Sequence, residues 1–381
     1  MKTKKITAAL MSAIILTACS NTTTTSTPTA TTSSTSLKSN ICMDCGFDTF
    51  FALQGMPLEQ DEFDTVFEKA SNDFSYYNKL FDIYNDYEGI NNIKTINDNA
   101  GVQAVEVDPV IIEMLEEAKY FYELSNGEFD VTIGALLKVW HNYREEGITL
   151  NNNGEKGNLP TDEELQTASK YKGWDHIQID SENNTVYIDD SNISLDVGGI
   201  AKGFTTEKIA ESLKLEGITT GAINAGGNNK TLGTKYNGSN WRVGIQNPNG
   251  SDSLLVVNMD GECSFVTSGD YERYYIASDG NTYHHIIDPE TLYPARNYHS
   301  VSIITKDSGV ADCLSTTLFT LSYEEGLELI QTYKEDHPDT FLEAIWIMDE
   351  DTEIDSDYKH VTDNQLIVYT EGLEGKLSWT D

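Results

Sequence analysis

Asp312 and Thr316 stand four residues apart in Val310–Leu321, an apolar segment that reads as the first turns of a helix. At that spacing both side chains face one way. A carboxylate and a hydroxyl are hard oxygen donors, suited to Mg²⁺ or Ca²⁺. The same pair also fits a helical acid beside a Thr bonded to its own backbone. His284 and His285 are adjacent in a strand-like segment, so at most one of them enters a given site. Such a His is a structural group or a general base near neutral pH. In Ser268-Gly269-Asp270-Tyr271-Glu272-Arg273, the Arg273 fork could hold a phosphate through two hydrogen bonds, or close a surface turn. Ser194–Thr205, SLDVGGIAKGFT, alternates apolar residues (Ile193, Leu195, Val197), turns at Gly198-Gly199, and leads through Lys202 into a helical pattern. Strand, Gly-rich turn and helix make a possible phosphate cradle, although neither G-x-x-x-x-G-K-[ST] nor G-x-G-x-x-G fits. Taken together, these groups suit a Mg²⁺-assisted reaction on a small molecule that carries phosphate.

The elements that must position these residues follow from periodicity. Helical spacing runs over Asp61–Tyr84, Pro109–Leu124, Leu136–Tyr143 and Tyr323–Tyr333. A capping box at Thr161 and Glu164 starts another helix over Asp162–Tyr171. Strands are expected at Gly46–Met56, His176–Ile179, Thr185–Ile188, Gly221–Leu232, Trp241–Gln246, Leu254–Met259, Val301–Ile304, Ala344–Met348 and Gln365–Tyr369. Strands and helices do not alternate regularly and no repeat is visible, so the class is α+β.

The 381 residues are enough for a sizeable core. A formal net charge of −37 excludes a nucleic-acid partner and requires local cations or a metal wherever a polyanion binds. With 20 Tyr, 13 Phe and 5 Trp the chain is folded, not an acidic disordered polymer. Its start reads as an export signal over residues 1–18: Lys2, Lys4 and Lys5, a short apolar run, then Leu16-Thr17-Ala18-Cys19. Cleavage before Cys19 and lipidation of its thiol would anchor the protein on the outer face of the cell membrane, with the lipid as its sole membrane contact. Residues 19–40 are a Thr/Ser-rich tether and 41–381 the folded domain. Cys42 and Cys45 form one CxxC, which leaves a redox pair, a half zinc site or a local disulfide open. Cys263 and Cys313 read as buried apolar residues.

The ordered motifs SNGEFDVTIGALL, SLDVGGIAKGF, GAINAGGN, FVTSGDYERYY, HHIIDPETLYP and ADCLSTTLF, spread over roughly residues 46–321, resemble the ApbE family of FAD:protein FMN transferases. The resemblance implies a T-fold-related architecture of antiparallel sheets flanked by helices. It implies transfer of FMN from FAD to a Thr or Ser hydroxyl of exported redox proteins, with AMP leaving. Carried over by motif, Asp312, Thr316 and the carbonyl of Gly199 would hold Mg²⁺. His285, chosen over His284, and Asp312 would be catalytic. Phe47, Tyr77, Glu128, Phe129, Asp130, Asp196, Lys202, Ser268, Arg273 and Ile286 would contact FAD. Leu292 stands where the family usually has Gly, Asn228 where it often has an acid, and the CxxC is additional. Alternatives on the same residues are a Mg²⁺-dependent FAD pyrophosphatase and a lipoprotein that merely binds flavin.

Overall fold

The computed structural model describes residues 36–380. Cys19 and the proposed signal lie outside them. Chain order begins with a hairpin, β1 (Lys38–Gly46) and β2 (Thr49–Met56), whose turn residues Phe47 and Asp48 take positive φ of 54° and 52°. One strand was expected over Gly46–Met56, and the left-handed turn divides the region into two. The last residues assigned to the tether, from Lys38, already belong to β1. Helix α1 (Gln60–Phe81) follows, with Asp61 and Glu62 in its first turn and Lys79 in its last, as the helix dipole favours. Phe63, Val66, Ala70 and Phe74 are its buried stripe.

Next come α2 (Ile93–Asp98), β3 (Val105–Glu106), α3 (Pro109–Leu124), α4 (Gly134–Asn152) and α5 (Asp162–Ala168). α2 lies in a stretch read as a polar loop, where Asn92 and Thr95 form a reciprocal capping box. The Thr161–Glu164 box starts α5 as expected. α4 runs nine residues past the expected end at Tyr143, into Asn-rich sequence. Strands β4 (Ile177–Asp180) and β5 (Thr185–Ile188) form the expected hairpin.

Leu195 and Val197 are buried as their alternation suggests, yet residues 193–197 join no ladder beyond a bridge between Ser194 and Ile133. Two backbone hydrogen bonds, Asp196 N–H to the Val131 carbonyl at 2.8 Å and Gly134 N–H to the Ser194 carbonyl at 3.0 Å, are all the backbone pairing these residues make with a neighbouring segment. Then follow α6 (Ala201–Leu215), β6 (Ala222–Ala225), β7 (Asn228–Leu232), β8 (Trp241–Gln246), β9 (Ser253–Met259), β10 (Glu262–Gly269), β11 (Tyr274–Ile276) and β12 (Thr282–His284). The chain closes with β13 (Ser300–Thr305), α7 (Ser308–Thr320), α8 (Tyr323–Asp336), β14 (Leu342–Asp349), β15 (Lys359–Thr362), β16 (Gln365–Tyr369) and β17 (Leu377–Trp379).

Nine strands form one sheet in the order β1-β2-β6-β7-β10-β13-β14-β16-β15, and every neighbouring pair is antiparallel. Its central strands β6, β7, β13 and β14 are buried nearly end to end, because helices cover one face and the β17-β9-β8 sheet packs on the other. α6 and α7 cross against this sheet at its middle. Lys230 on β7 is fully buried there, paired with Glu207 of α6 at 3.0 Å and with Glu262 of β10 at 2.8 Å. The same Glu207 oxygen, Oε2, also accepts from the backbone N–H of Ser308 at the start of α7. One buried cation thus ties sheet and both helices into a single unit. Among the described residues no helix is long and apolar enough to cross a membrane.

Candidate active site

α6 and α7 meet through glycine. A Cβ on Gly203 would lie 2.2 Å from the Ser308 carbonyl oxygen and 2.4 Å from Asp312 Cβ. That absence of a side chain lets the Gly203 N–H donate to Asp312 Oδ2 at 2.7 Å. The expected cradle is therefore partly filled, since the third amide of α6 already holds a carboxylate of this chain. Burial pushes the Asp312 carboxyl up, against the opposing pull of Lys202, the Gly203 N–H and Asn228. Lys202 is pushed down by burial, with Asp312 pulling the other way, and its Nζ donates to Asn228 Oδ1 at 2.9 Å. Asn228 thus supplies a neutral acceptor where an acid was the family expectation.

One turn further along α7 stands Thr316. Its neighbour Thr317 turns its hydroxyl back to the Cys313 carbonyl at 2.7 Å. Thr316 makes no such bond and has no hydrogen-bond partner among the described residues, and a Cβ on Gly199 would sit 3.4 Å from its Oγ1. Asp312, Thr316 and Gly199 line one cavity of about 700 Å³. This set of one carboxylate, one free hydroxyl and close main chain fits a magnesium ion that also binds substrate phosphate. No cluster of three or more His, Cys, Asp or Glu suited to a metal occurs among the described residues.

The two histidines divide as adjacent residues must. His284 Nε2 donates to the Ala295 carbonyl at 2.6 Å, and its Nδ1 accepts from the Ile286 N–H at 3.2 Å. Both nitrogens are occupied, so His284 is structural. His285 faces the cavity with a buried Nδ1 that has no partner. Burial, then the neighbouring Arg273, His284, Arg144 and Lys202 side chains, hold it well below the usual histidine range, so it is neutral, with an unprotonated ring nitrogen. Ile286 lies beside it in the cavity wall.

The remaining predicted residues are gathered in the same cavity, with one exception. Phe47, at the β1–β2 turn, packs edge-on to Phe74 with centroids 5.0 Å apart, and its N–H donates to Asn78 Oδ1. Asp196 accepts from the Gly198 N–H at 2.9 Å. Glu128 accepts from Thr320 at 3.2 Å, Phe129 is buried, and Asp130 accepts from the N–H and hydroxyl of Thr132. Ser268 shares a hydrogen bond of 2.9 Å with Ser315 of α7. Arg273 reaches the Phe47 carbonyl at 3.5 Å. Tyr77 is the exception. It stacks on Phe81 at 6.1 Å within α1 and does not line the cavity. Tyr84, just beyond the end of α1, does so instead.

Among the cavity residues that were not anticipated are Tyr84, His141 and Arg144. Tyr84 stacks on His141 at 4.9 Å, and its hydroxyl lies 3.2 Å from His141 Nδ1. Arg144 Nη2 is 3.1 Å from the same nitrogen. Guanidinium only donates, so Nδ1 accepts and His141 carries its proton on Nε2. The signal available in the sequence was the i, i+3 spacing of His141 and Arg144 on one helix.

The sequence profile of the ApbE family matches residues 47–341. The chain belongs to the ApbE family. An FAD:protein FMN transferase of Treponema pallidum is 34% identical over 257 residues, covering 63% of this chain and 68% of that one. One of Vibrio cholerae is 30% identical over 274 residues, covering 71% and 76%. The crystal structure of the ApbE protein of Thermotoga maritima superposes with a TM-score of 0.67 at 29% identity, over 81% of this chain and 94% of that one. These bear out the α+β architecture expected from the resemblance. Leu292, where the resemblance led to an expected Gly, takes a left-handed φ of +66° that glycine adopts most easily, and its carbonyl accepts from Trp140 Nε1 at 2.9 Å. The additional Cys42 and Cys45 are joined as a disulfide, which settles the three readings of the CxxC. Cys263 and Cys313 are buried free thiols, as expected.

Proposed function

We propose that this protein transfers the FMN moiety of FAD to a Thr or Ser hydroxyl of a protein acceptor, as an FAD:protein FMN transferase. The observation that carries this reading is the meeting, in one cavity, of a neutral His285 with an unpartnered Nδ1 and the Asp312–Thr316 oxygen pair. The names of the similar proteins support it. Asp312, Thr316 and the Gly199 carbonyl would hold Mg²⁺, which when bound neutralises diphosphate charge. Lys202 adds a fixed cation next to Asp312. His285 accepts the proton as the acceptor oxygen bonds to the FMN phosphorus. The bond from that phosphorus to the bridging oxygen of AMP breaks, and AMP carries the electron pair away. Apolar Ile286 and Phe129 limit water, which would otherwise compete as acceptor and give free FMN.

Residues 1–18 as an export signal and Cys19 as the lipidated residue complete the proposal, with exported redox proteins as acceptors. Incubation with FAD, Mg²⁺ and a Thr-containing acceptor protein should give an adduct of FMN mass and AMP. EDTA and Asp312→Ala should each remove it. AMP and free FMN with no adduct on any acceptor would replace the transferase with a pyrophosphatase. Radiolabelled fatty acid should enter the wild-type protein in cells and not the Cys19→Ala variant.

A further inference from the structure

The chain has only four arginines, and two of them, Arg144 and Arg273, line the cavity. Elsewhere several of the cations are closely paired: Lys69, Lys94, Lys208, Lys214 and Lys230 each lie within 3.2 Å of a carboxylate. Arg144 and Arg273 are not. The side chain of Arg144 is 13% exposed, and its one ionic contact is Glu145 at 3.8 Å, a carboxylate that is 61% exposed. Arg273 makes no ion pair among the described residues, and its one hydrogen bond is the 3.5 Å contact to a carbonyl. Each guanidinium lies close enough to depress proton binding by the other side's His285 and His141.

Most of the acids around them are already satisfied within the protein. Asp196 accepts from Gly198, Asp312 from Gly203, and Asp130 from Thr132. Arg144 is largely buried and feels only the field of the exposed Glu145 and of Asp196, with no carboxylate hydrogen-bonded to its fork, while Arg273 is exposed to the cavity. In a protein of net charge −37 such a buried, incompletely paired guanidinium is costly unless a ligand completes it. His141 fixes the Arg144 fork in place, because its Nδ1 can only accept there.

We infer that Arg144 and Arg273 form a second phosphate-binding wall that grips the diphosphate of FAD, with His141 as a positioning residue for Arg144. This rests on the transferase reading, because the diphosphate is the only anionic part of FAD. Lys202 and the Asp312–Thr316 pair would then approach the diphosphate from α6 and α7, and the two guanidiniums from α4 and the β10–β11 connection.

The test is binding, not turnover: titration of FAD and, separately, of riboflavin, followed by flavin fluorescence, with Mg²⁺ and with EDTA. Arg144→Gln should weaken FAD binding about tenfold or more and leave riboflavin binding unchanged. The loss should be larger in EDTA, where the guanidiniums face the diphosphate without the metal. Arg144→Lys should recover part of the loss, since it restores charge but not the fork. His141→Phe should give a smaller loss of the same kind. Unchanged FAD affinity in both Arg144→Gln and Arg273→Gln would overturn the inference. So would an equal loss for FAD and riboflavin, which would mean that Arg144 shapes the cavity without reading charge. If wild-type protein binds no FAD at all, the transferase reading itself fails.

Discussion

The two walls of the cavity are built on opposite plans. The α6–α7 wall is assembled from the smallest residues and the most buried ions of the molecule. Gly203 has no room for a methyl group, Ser308 and Asp312 are buried, and Lys230 holds the helices to the sheet from below. The facing wall, from α4, the β10–β11 connection and the segment after α1, is made of long side chains: Tyr84, His141 and Arg144, which touch one another through rings and forks, and Arg273. Tyr84 is 55% exposed, whereas Asp312 is 5% exposed. The first wall cannot change shape without moving backbone. The second can adjust by rotating side chains. Reacting groups whose position must hold to a fraction of an ångström belong on the first kind of wall, and contacts that admit a large substrate belong on the second.

Substitutions can sharpen or break this contrast. The largest effect is expected at His285, where the two walls meet. His285→Asn should slow adduct formation by about 10³-fold, some 4 kcal/mol in the barrier, with FAD affinity retained. A rate within tenfold of wild type in a mass-spectrometric time course would remove His285 from the chemistry. Gly203→Ala should cost about 3 kcal/mol in a denaturant titration, because the added methyl meets the Ser308 carbonyl and the Asp312 Cβ. It should also remove adduct formation by displacing Asp312. Tyr84→Ala, on the opposite wall, should leave the unfolding midpoint nearly unchanged. If the two substitutions cost the same, the contrast is wrong.

Glu117 on α3 supplies a pH test of the rigid wall. Its Oε1 is buried against the start of α7 without a partner, 2.5 Å from where a Cβ on Gly309 would lie. Burial and then the Asp307 carboxylate push Glu117 up to about 8. The folded protein therefore binds this proton more tightly than the unfolded chain does. No stability is lost from this group below its ordinary range near 4.5, and the loss grows as pH rises to about 8. Glu117→Gln should flatten that fall, gaining about 2 kcal/mol at pH 9 and nothing at pH 4. Thermal unfolding across that range checks it, and parallel curves for the two proteins would refute it. A smaller effect is expected at the disulfide of β1. Cys42→Ser with Cys45→Ser opens a very short loop and should cost about 1–2 kcal/mol, visible as a modest drop in unfolding midpoint.

How much of this was legible in the chain depended on whether function rests on local pattern. Asp312 and Thr316 shared a helix face by spacing alone, and the capping boxes marked α5 correctly. His285 over His284 followed from motif, while the reason for it, two hydrogen bonds that occupy His284, is a matter of packing. Tyr77 misled because it continues the apolar stripe of α1, which is what buries it against Phe81. Tyr84 escaped because it lies past the helix end, where no period identifies a face. Ile193, Leu195 and Val197 alternate as a strand does, and the segment pairs with residues 131–134 through one isolated bridge, too short to become a ladder. Arg144 escaped because nothing in its sequence neighbourhood tells a paired arginine from an unpaired one.

A sheet nine strands wide leaves two open edges, and β1 is one of them. Its outward residues include Ile41 and Met43, 36% and 52% exposed, an inviting template for another molecule's strand. The Cys42–Cys45 bridge falls where the pairing of β1 with β2 slips register, between Cys42 and Gly46, and a second slip lies between Lys38 and Asn40. A strand irregular at both ends offers few consecutive, evenly spaced donors and acceptors. The bridge locks one irregularity in place, so it guards against aggregation and makes solubility under reducing conditions a property of this edge strand.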